Sequence, residues 1–170
     1  MKEKYTYTSW QLTMMVLFRF LIGWHLLYEG FSKVITPNWT SFSFLKESKW
    51  ILEGFAGWIT SHATVLSIVD FLNTWGLIAI GLGLVLGLFT RIAAFSGAAL
   101  LFIYYLNNPP LVGLEYNLPS EGSYLIVSKT LIEVASLLVI AVFPTSPVFG
   151  LDRFIFLRKD DKKIKNETEA

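Results

Sequence analysis

The sequence lacks cysteine altogether and contains only two histidines, His25 and His62. The absence of cysteine excludes disulfides, thiolate nucleophiles, cysteine-bound zinc and iron–sulfur clusters held by this chain. Two imidazoles are too few for a metal site built from histidine alone. We therefore expect no bound metal and no redox group carried by the side chains themselves.

Charged residues are also scarce, since Asp, Glu, Lys and Arg make up 16% of the 170 residues while 54% are hydrophobic. A typical soluble domain has about 25% charged residues. An apolar excess of this size cannot all be buried in one small core, so the remainder is expected to face lipid. The formal net charge of +1 argues against a nucleic-acid partner.

Four apolar stretches are predicted to cross a bilayer, which requires about 17–25 helical residues each. They lie at residues 12–34, 70–89, 91–106 and 124–143. The first contains Arg19 and has no small-residue cleavage pattern, so we expect a retained membrane helix and not a signal peptide.

The connection between the first two stretches keeps aromatic residues at helical spacing over residues 50–62. This pattern predicts an interfacial helix in the first outer loop. The predicted fold class is therefore an all-α polytopic membrane protein with a four-transmembrane-helix bundle over residues 1–152. Residues 153–170 form a basic, charged tail.

Lys and Arg are concentrated in three regions that share one side of the membrane after four crossings. These regions are the N-terminus with Lys2 and Lys4, the turn at Arg91, and the tail. Because such residues are enriched in cytoplasmic loops, both termini are predicted to be cytoplasmic.

Ionisable residues lie inside the first and last apolar stretches, where a charge costs at least about 2.5–3.5 kcal/mol. They are His25, Glu29 and Lys33 in the first stretch, and Lys129 and Glu133 in the last. Such groups persist where they face the interior of a bundle and find partners.

A rise of about 1.5 Å per residue places Glu29 level with Lys129, and His25 level with Glu133. We therefore predict a polar cluster in the outer half of the bundle, with Asp70 and Asn73 as further candidates. The cluster either lines a ligand pocket or only satisfies itself and fixes helix register. Its titratable members are suited to exchange protons with a quinone, but none of them can carry electrons.

Arg19 lies nearer the cytoplasmic end of the first stretch. We expect its side chain to snorkel to the inner interface, or to bind a carbonyl or helix end, in preference to contacting a substrate. Glycines such as Gly83 and Gly87 in the second stretch predict close helix packing.

Two segments resemble the DoxX-type membrane proteins. Arg19-x3-Gly23, followed by Gly30 and Lys33, resembles the family's R-x3-G-x6-G-x2-K signature, and the run that ends in Thr90-Arg91 resembles its second block. Pro144 through Asp152 resembles the closing element more loosely. On this resemblance, the family motif is carried by Arg19, Gly23, Gly30, Lys33 and Arg91.

The resemblance implies a four-helix protein of the bacterial inner membrane. One relative, DoxD, is a subunit of a thiosulfate:quinone oxidoreductase, and others are linked to membrane oxidoreductase complexes. Assembly chaperones for membrane receptors also belong to the superfamily. The long aromatic loop and the Lys129/Glu133 pair depart from the generic pattern and indicate a divergent subgroup.

We therefore expect a quinone-associated subunit or accessory of a membrane oxidoreductase system, without a redox cofactor of its own. Its expected partners are the lipid bilayer and a membrane or periplasmic redox protein. The alternative is a non-enzymatic scaffold or assembly factor whose buried ion pairs are structural. A transporter is disfavoured because the sequence shows no discontinuous helix and no inverted repeat.

Overall fold

A computed structural model describes residues 7–111, 113–114, 116 and 123–153 of the chain. The described part is mostly helical, which confirms the helical class expected from the sequence. Residues 154–170, which hold most of the predicted charged tail, lie outside the described residues.

Six α-helices and one small hairpin follow each other along the described chain. They are α1 (Ser9–Ile35), α2 (Phe42–Lys46), α3 (Glu53–Thr60), α4 (Ala63–Leu86), α5 (Thr90–Asn107), β1 (Ser123–Tyr124), β2 (Val127–Ser128) and α6 (Lys129–Val142). A 3-10 turn at Trp50–Leu52 leads into α3, and β1 pairs with β2 in antiparallel register. Residues 50–62 are therefore mainly helical, as the sequence predicts.

Local interactions set the start of α1 and the end of α4. The Thr8 hydroxyl accepts a hydrogen bond from the Gln11 amide at 3.3 Å, and the Gln11 side chain accepts one from the Thr8 amide at 3.0 Å. This reciprocal pair is a capping box. Gly87, with φ of 68°, ends α4 in the left-handed conformation that glycine adopts without a steric penalty.

Two helix starts differ from those expected from the sequence. Helix α4 begins at Ala63, ahead of the predicted start at Asp70, because no helix-breaking residue lies between them. Helix α6 begins at Lys129 and not at residue 124, because the preceding residues form the hairpin. The Ser128 hydroxyl caps α6 by accepting a hydrogen bond from the Leu131 amide at 3.3 Å.

The four long helices pack as antiparallel neighbours in the order α1, α4, α5 and α6. Helix α1 packs along α4, and α5 packs along α6, whereas α1 meets α6 only over a short stretch. Gly23 and Gly30 of α1 lie directly against α4, and Gly81 of α4 lies against the backbone of Leu27. Small residues at these positions let the two backbones approach closely, which is a common device between membrane helices.

The first loop folds over the end of the bundle where α1 and α5 end and α4 and α6 begin; we call this the capped end. The Ser41 amide donates a hydrogen bond to the Asp70 carboxylate at 2.9 Å, and the Ser41 hydroxyl donates a second one. The Asn107 amide group donates to the Phe44 carbonyl at 3.0 Å. The Lys49 amide donates to the Asn107 carbonyl at 3.3 Å. The loop is therefore fixed to both α4 and α5.

Arg19 holds the opposite end of the bundle together. Its side chain does not snorkel: the residue is only 2% exposed. It donates one hydrogen bond to the Thr145 hydroxyl and one to the Phe149 carbonyl, each at 2.9 Å. The expectation of snorkelling was wrong because the segment after α6 turns back onto α1 and supplies acceptors beside the guanidinium. The alternative expectation, binding to a nearby carbonyl, agrees with the structure.

Asp152 lies at the same end of the bundle as Arg19, opposite the capped end, and caps the N-terminus of α5. Its carboxylate accepts hydrogen bonds from the Phe89 amide at 2.8 Å and from the Thr90 amide at 3.3 Å. The carboxylate also interacts electrostatically with Arg19. The residues after α6 are thereby attached to α1 and to the start of α5.

Replacing Asp152 by alanine is expected to destabilise the fold by about 2 kcal/mol, because a helix cap is lost and Arg19 loses a neighbouring negative charge. Asp152→Asn keeps a capping oxygen and should cost less. Thermal unfolding in detergent, followed by circular dichroism, measures both effects. The control is Arg153→Ala, which changes an exposed neighbour; equal melting temperatures for Asp152→Ala and this control would contradict the capping role.

Large apolar side chains cover the outward faces of the long helices. Trp24, Trp75 and Phe95 are each more than half exposed, as are Ile92 and Ile132. Exposed apolar surface of this extent marks contact with lipid or with a partner protein. Among the described residues, α1 and α4 are the two helices that are long and apolar enough to cross a membrane.

Candidate functional site

A cavity of about 160 Å³ lies between the four long helices near the capped end. Charged side chains line the cavity from α1 on one side and from α6 on the other. Uncharged side chains of α4 and α5 form its back wall. The lining residues are His25, Leu26, Glu29, Lys33, Leu77, Leu101, Tyr104, Lys129, Thr130 and Glu133.

Two close contacts between an acidic and a basic side chain lie in the cavity wall. His25 Nε2 lies 3.3 Å from Glu133 Oε1 and joins α1 to α6. This contact agrees with the equal depth expected for the two residues. Lys33 Nζ lies 3.6 Å from Glu29 Oε2, one helical turn apart on α1. Polar groups on α1 and α6 therefore find partners inside the bundle.

Lys129 and Glu29 line the same cavity, one from α6 and one from α1. The Lys129 ammonium attracts the Glu133 carboxylate, while Glu29 repels that carboxylate. Glu29 also forms an ion pair with Lys33 on its own helix. Charges on both α1 and α6 therefore act on Glu133.

Aromatic rings support the polar groups from the capped end. The Tyr104 hydroxyl donates a hydrogen bond to the Asn73 side chain at 2.5 Å, and the Tyr104 ring packs edge-on against Phe44 at 5.6 Å between centroids. The Lys33 ammonium lies 5.4 Å from the centre of the Trp39 ring. This distance is within the range of a cation–π contact. The first loop thus touches two residues that line the cavity.

The structure brings five of the six proposed cluster residues to one cavity, but not Asp70. Asp70 instead holds the first loop through Ser41. Its position at the edge of the second apolar stretch did not reveal that the loop folds back within reach of its carboxylate. Asn73, one turn further along α4, reaches the cavity region through Tyr104.

Tyr104 and Thr130 also line the cavity, although neither was singled out from the sequence. A signal was available for Tyr104, because a hydroxyl placed inside an apolar helix usually needs a hydrogen-bond partner. Thr130 gave no comparable signal, since it directly follows Lys129 near the predicted beginning of a span.

The charges of the cavity balance. Glu29 and Glu133 contribute two negative charges, Lys33 and Lys129 two positive ones, and His25 is neutral unless protonated. Such a wall does not favour an ion of either sign. Both α1 and α6 offer hydrogen-bond donors and acceptors to this small space. Such an arrangement is suited to a neutral, polar molecule.

The size of the cavity limits what it holds. An apolar cavity of about 150 Å³ accommodates a benzene ring, so 160 Å³ is enough for one six-membered ring. Most drug-sized ligands fill cavities of about 300–1,000 Å³. A larger ligand would therefore have to leave part of itself outside.

The family-motif residues serve both ends of the bundle. Lys33 lies in the cavity wall, whereas Arg19 is at the opposite end. Gly23 and Gly30 lie between them at the contact with α4. Arg91 donates a hydrogen bond from Nε to the Ala141 carbonyl at 3.2 Å and so joins α5 to α6. Most of the motif therefore maintains helix packing, and Lys33 alone among these five lines the cavity.

Among the residues that the structure describes, no group of three or more His, Asp and Glu side chains is placed to hold a metal ion.

A helical bundle with apolar outer faces and acidic and basic side chains between its helices defines the class: an integral membrane protein. The DoxX family model matches residues 14–106, and the chain belongs to that family. The match extends from α1 to the end of α5, so Lys129, Thr130 and Glu133 lie beyond it. No curated protein and no solved structure gives a significant match to the chain.

Proposed function

We propose that the protein is a quinone-associated subunit or accessory of a membrane oxidoreductase system, and that its cavity binds the quinone ring. The observation that carries this proposal is the cavity itself: it has the size of one ring, its charges balance, and it lies in a helix bundle of a membrane family. A quinone ring is neutral and carries two carbonyl oxygens that accept hydrogen bonds, so it meets these constraints.

The charged side chains have complementary roles in this proposal. The ammonium groups of Lys33 and Lys129 donate hydrogen bonds to the carbonyl oxygens of the ring. The Glu133–His25 pair provides groups that give and take protons. Reduction of a quinone to a quinol consumes two electrons and two protons. The proposed site handles the protons, and a partner redox protein supplies or accepts the electrons.

The proposed topology has four crossings of a bacterial inner membrane, with both termini in the cytoplasm and the capped end outside. The 14 residues of α6 span about 21 Å, less than the ~30 Å of a hydrocarbon core. Apolar residues at both ends of α6 extend this span. Leu125 and Ile126 are 64% and 55% exposed before α6, and Phe149 is 63% exposed after it.

We further propose that α3 rests at the outer membrane interface. Its buried residues, Ala56 and Ile59, face the protein, while Phe55 and Trp58 are 59% and 50% exposed. The two exposed rings stack at 6.0 Å between centroids. An apolar aromatic surface on a short helix beside a bundle is suited to the headgroup region of a bilayer.

The proposal predicts that Lys33→Met and Lys129→Met bind quinone at least about tenfold more weakly than the unchanged protein, since a hydrogen bond to a charged group contributes about 1.5–3 kcal/mol. Quinone is extracted from the purified protein and quantified per chain, and a short-chain quinone is then titrated into protein in lipid nanodiscs. The matched control is Lys46→Met, which makes the same change at an exposed position outside the cavity.

Two results would count against the proposal. One is the absence of quinone from the unchanged protein together with no saturable binding in nanodiscs. The other is equal affinity in Lys129→Met and Lys46→Met. If the cavity variants also lower the melting temperature without any effect on quinone, the ion pairs are structural, and a scaffold or assembly factor is the better description.

A further inference from the structure

The cavity is more exposed on one side than on the others. Its lining residues on α4 and α5, Leu77 and Leu101, are 1% and 5% exposed. On α1 and α6, by contrast, the side chains of Glu29 and His25 are 49% and 37% exposed, and Lys129 is also exposed. The opening therefore lies at the seam between α1 and α6, where the helix packing is least extensive.

The first loop lies over the end of the bundle. It is attached to α4 through Asp70 and to α5 through Asn107. Its Trp39 and Phe44 rings lie against Lys33 and Tyr104, two residues of the cavity wall. The loop thus covers the cavity from the capped end, while His25 and Glu29, among the described residues of the wall, remain partly exposed at its flank.

The surface around the seam is apolar. Leu21 and Tyr28 share the face of α1 that carries His25, because they precede and follow it by about one turn. They are 57% and 64% exposed, and Ile132, next to Glu133 on α6, is 58% exposed. A polar opening bordered by exposed apolar side chains is suited to a molecule with a polar head and an apolar tail.

We propose that the ligand enters the cavity sideways from the lipid phase, through the seam between α1 and α6. Its ring occupies the cavity and its apolar tail stays outside along the seam. This inference rests on the proposed function for the identity of the ring. The volume supports it, because 160 Å³ has room for one ring and not for an isoprenoid-type chain.

The His25–Glu133 pair bridges the seam at the level of the cavity. A ligand that passes between the helices therefore meets this pair on its way in. The first contacts of the ring are then with the groups that the proposed function uses for proton exchange.

The absence of cysteine from the sequence permits a direct test with single introduced thiols. Thr130→Cys reports on the cavity, Ser43→Cys on the exposed surface of the first loop, and Ile132→Cys on the lipid-facing surface. Each variant is reconstituted in vesicles and treated from both sides with a charged, membrane-impermeant thiosulfonate or with a lipid-soluble maleimide. Labelling rates are normalised to those of the denatured chain.

The lipid-soluble reagent is expected to label Thr130→Cys at a rate within about threefold of Ile132→Cys. The charged reagent is expected to label it at least about tenfold more slowly than Ser43→Cys. Adding Asp70→Ala, which removes both bonds to Ser41, should raise labelling by the charged reagent because the loop then no longer covers the cavity.

Rapid labelling of Thr130→Cys by the charged reagent, without the Asp70 change, would overturn lateral entry. Failure of both reagents at this position while Ile132→Cys reacts with the maleimide would overturn it as well. The assay contains no quinone, so it is independent of the proposed function. Lipid-side labelling in a protein that binds no quinone would support the lateral opening and refute the quinone.

Discussion

Replacing Arg19 by methionine is expected to lower the free energy of unfolding by about 3–5 kcal/mol, one of the largest effects of any single substitution in this chain. The change removes hydrogen bonds to the Thr145 hydroxyl and the Phe149 carbonyl. It also leaves the buried carboxylate of Asp152 without its neighbouring positive charge. Unfolding in detergent and the amount of protein recovered from membranes measure the loss.

Arg19→Lys provides a graded comparison. A lysine keeps the charge, but its single ammonium group cannot reproduce the spread of the guanidinium toward two acceptors. Its stability should therefore fall between those of the unchanged protein and Arg19→Met. Arg153→Met, an exposed substitution close to the same end, is the matched control. Equal stability of Arg19→Met and this control would show that the contacts contribute nothing.

A double-mutant cycle isolates the electrostatic part. If Arg19 and Asp152 stabilise each other, adding Asp152→Asn to Arg19→Met should cost less than Asp152→Asn costs alone. Strict additivity would show that the two residues hold this end of the bundle independently, Asp152 through α5 and Arg19 through the segment after α6.

The helices and the charged cluster were predictable for a physical reason. Long apolar stretches have few alternatives to a helix in lipid, and a charge among them must find a partner. Counting from the predicted helix ends placed His25 level with Glu133, and the two residues are in contact, although α6 begins at Lys129 and not at residue 124 as that count assumed.

The role of Arg19 was less accessible from the sequence. Its acceptors are Thr145 and Phe149, which are more than a hundred positions away along the chain. They approach Arg19 because the segment after α6 turns back and forms backbone hydrogen bonds to Leu86 and Gly87. No periodicity or spacing near Arg19 encodes that turn, so the snorkelling expectation relied on the local sequence alone.

The same limitation explains why the position of the Asp70 side chain was not predicted. Asp70 was assigned to the cluster by its depth, but depth does not show which way a side chain faces. The first loop turns Ser41 toward it and gives it a different partner. Contacts made by loops depend on tertiary structure, whereas contacts between helices at equal depth follow from their regular geometry.

The closest backbone approach at a glycine in the bundle is at Gly81. A Cβ atom added there would lie 2.5 Å from the Leu27 amide nitrogen and 2.7 Å from the Leu27 Cα atom. Both are backbone atoms of α1, so no side-chain rotation relieves the clash. Gly76 lies on the same helix, and an added Cβ there would meet nothing within 4 Å. The two positions form a matched pair for the same substitution.

Gly81→Ala is expected to destabilise the fold by about 3 kcal/mol, because α1 must move away from α4 and lose packing along their contact. Gly76→Ala should be neutral or stabilising by up to about 1 kcal/mol, since alanine favours a helix more than glycine does. Thermal unfolding of both variants in one detergent gives the comparison. A melting temperature for Gly81→Ala at or above that of Gly76→Ala would show that α1 and α4 do not meet as described. A large difference would establish that the close contact between α1 and α4 stabilises the bundle.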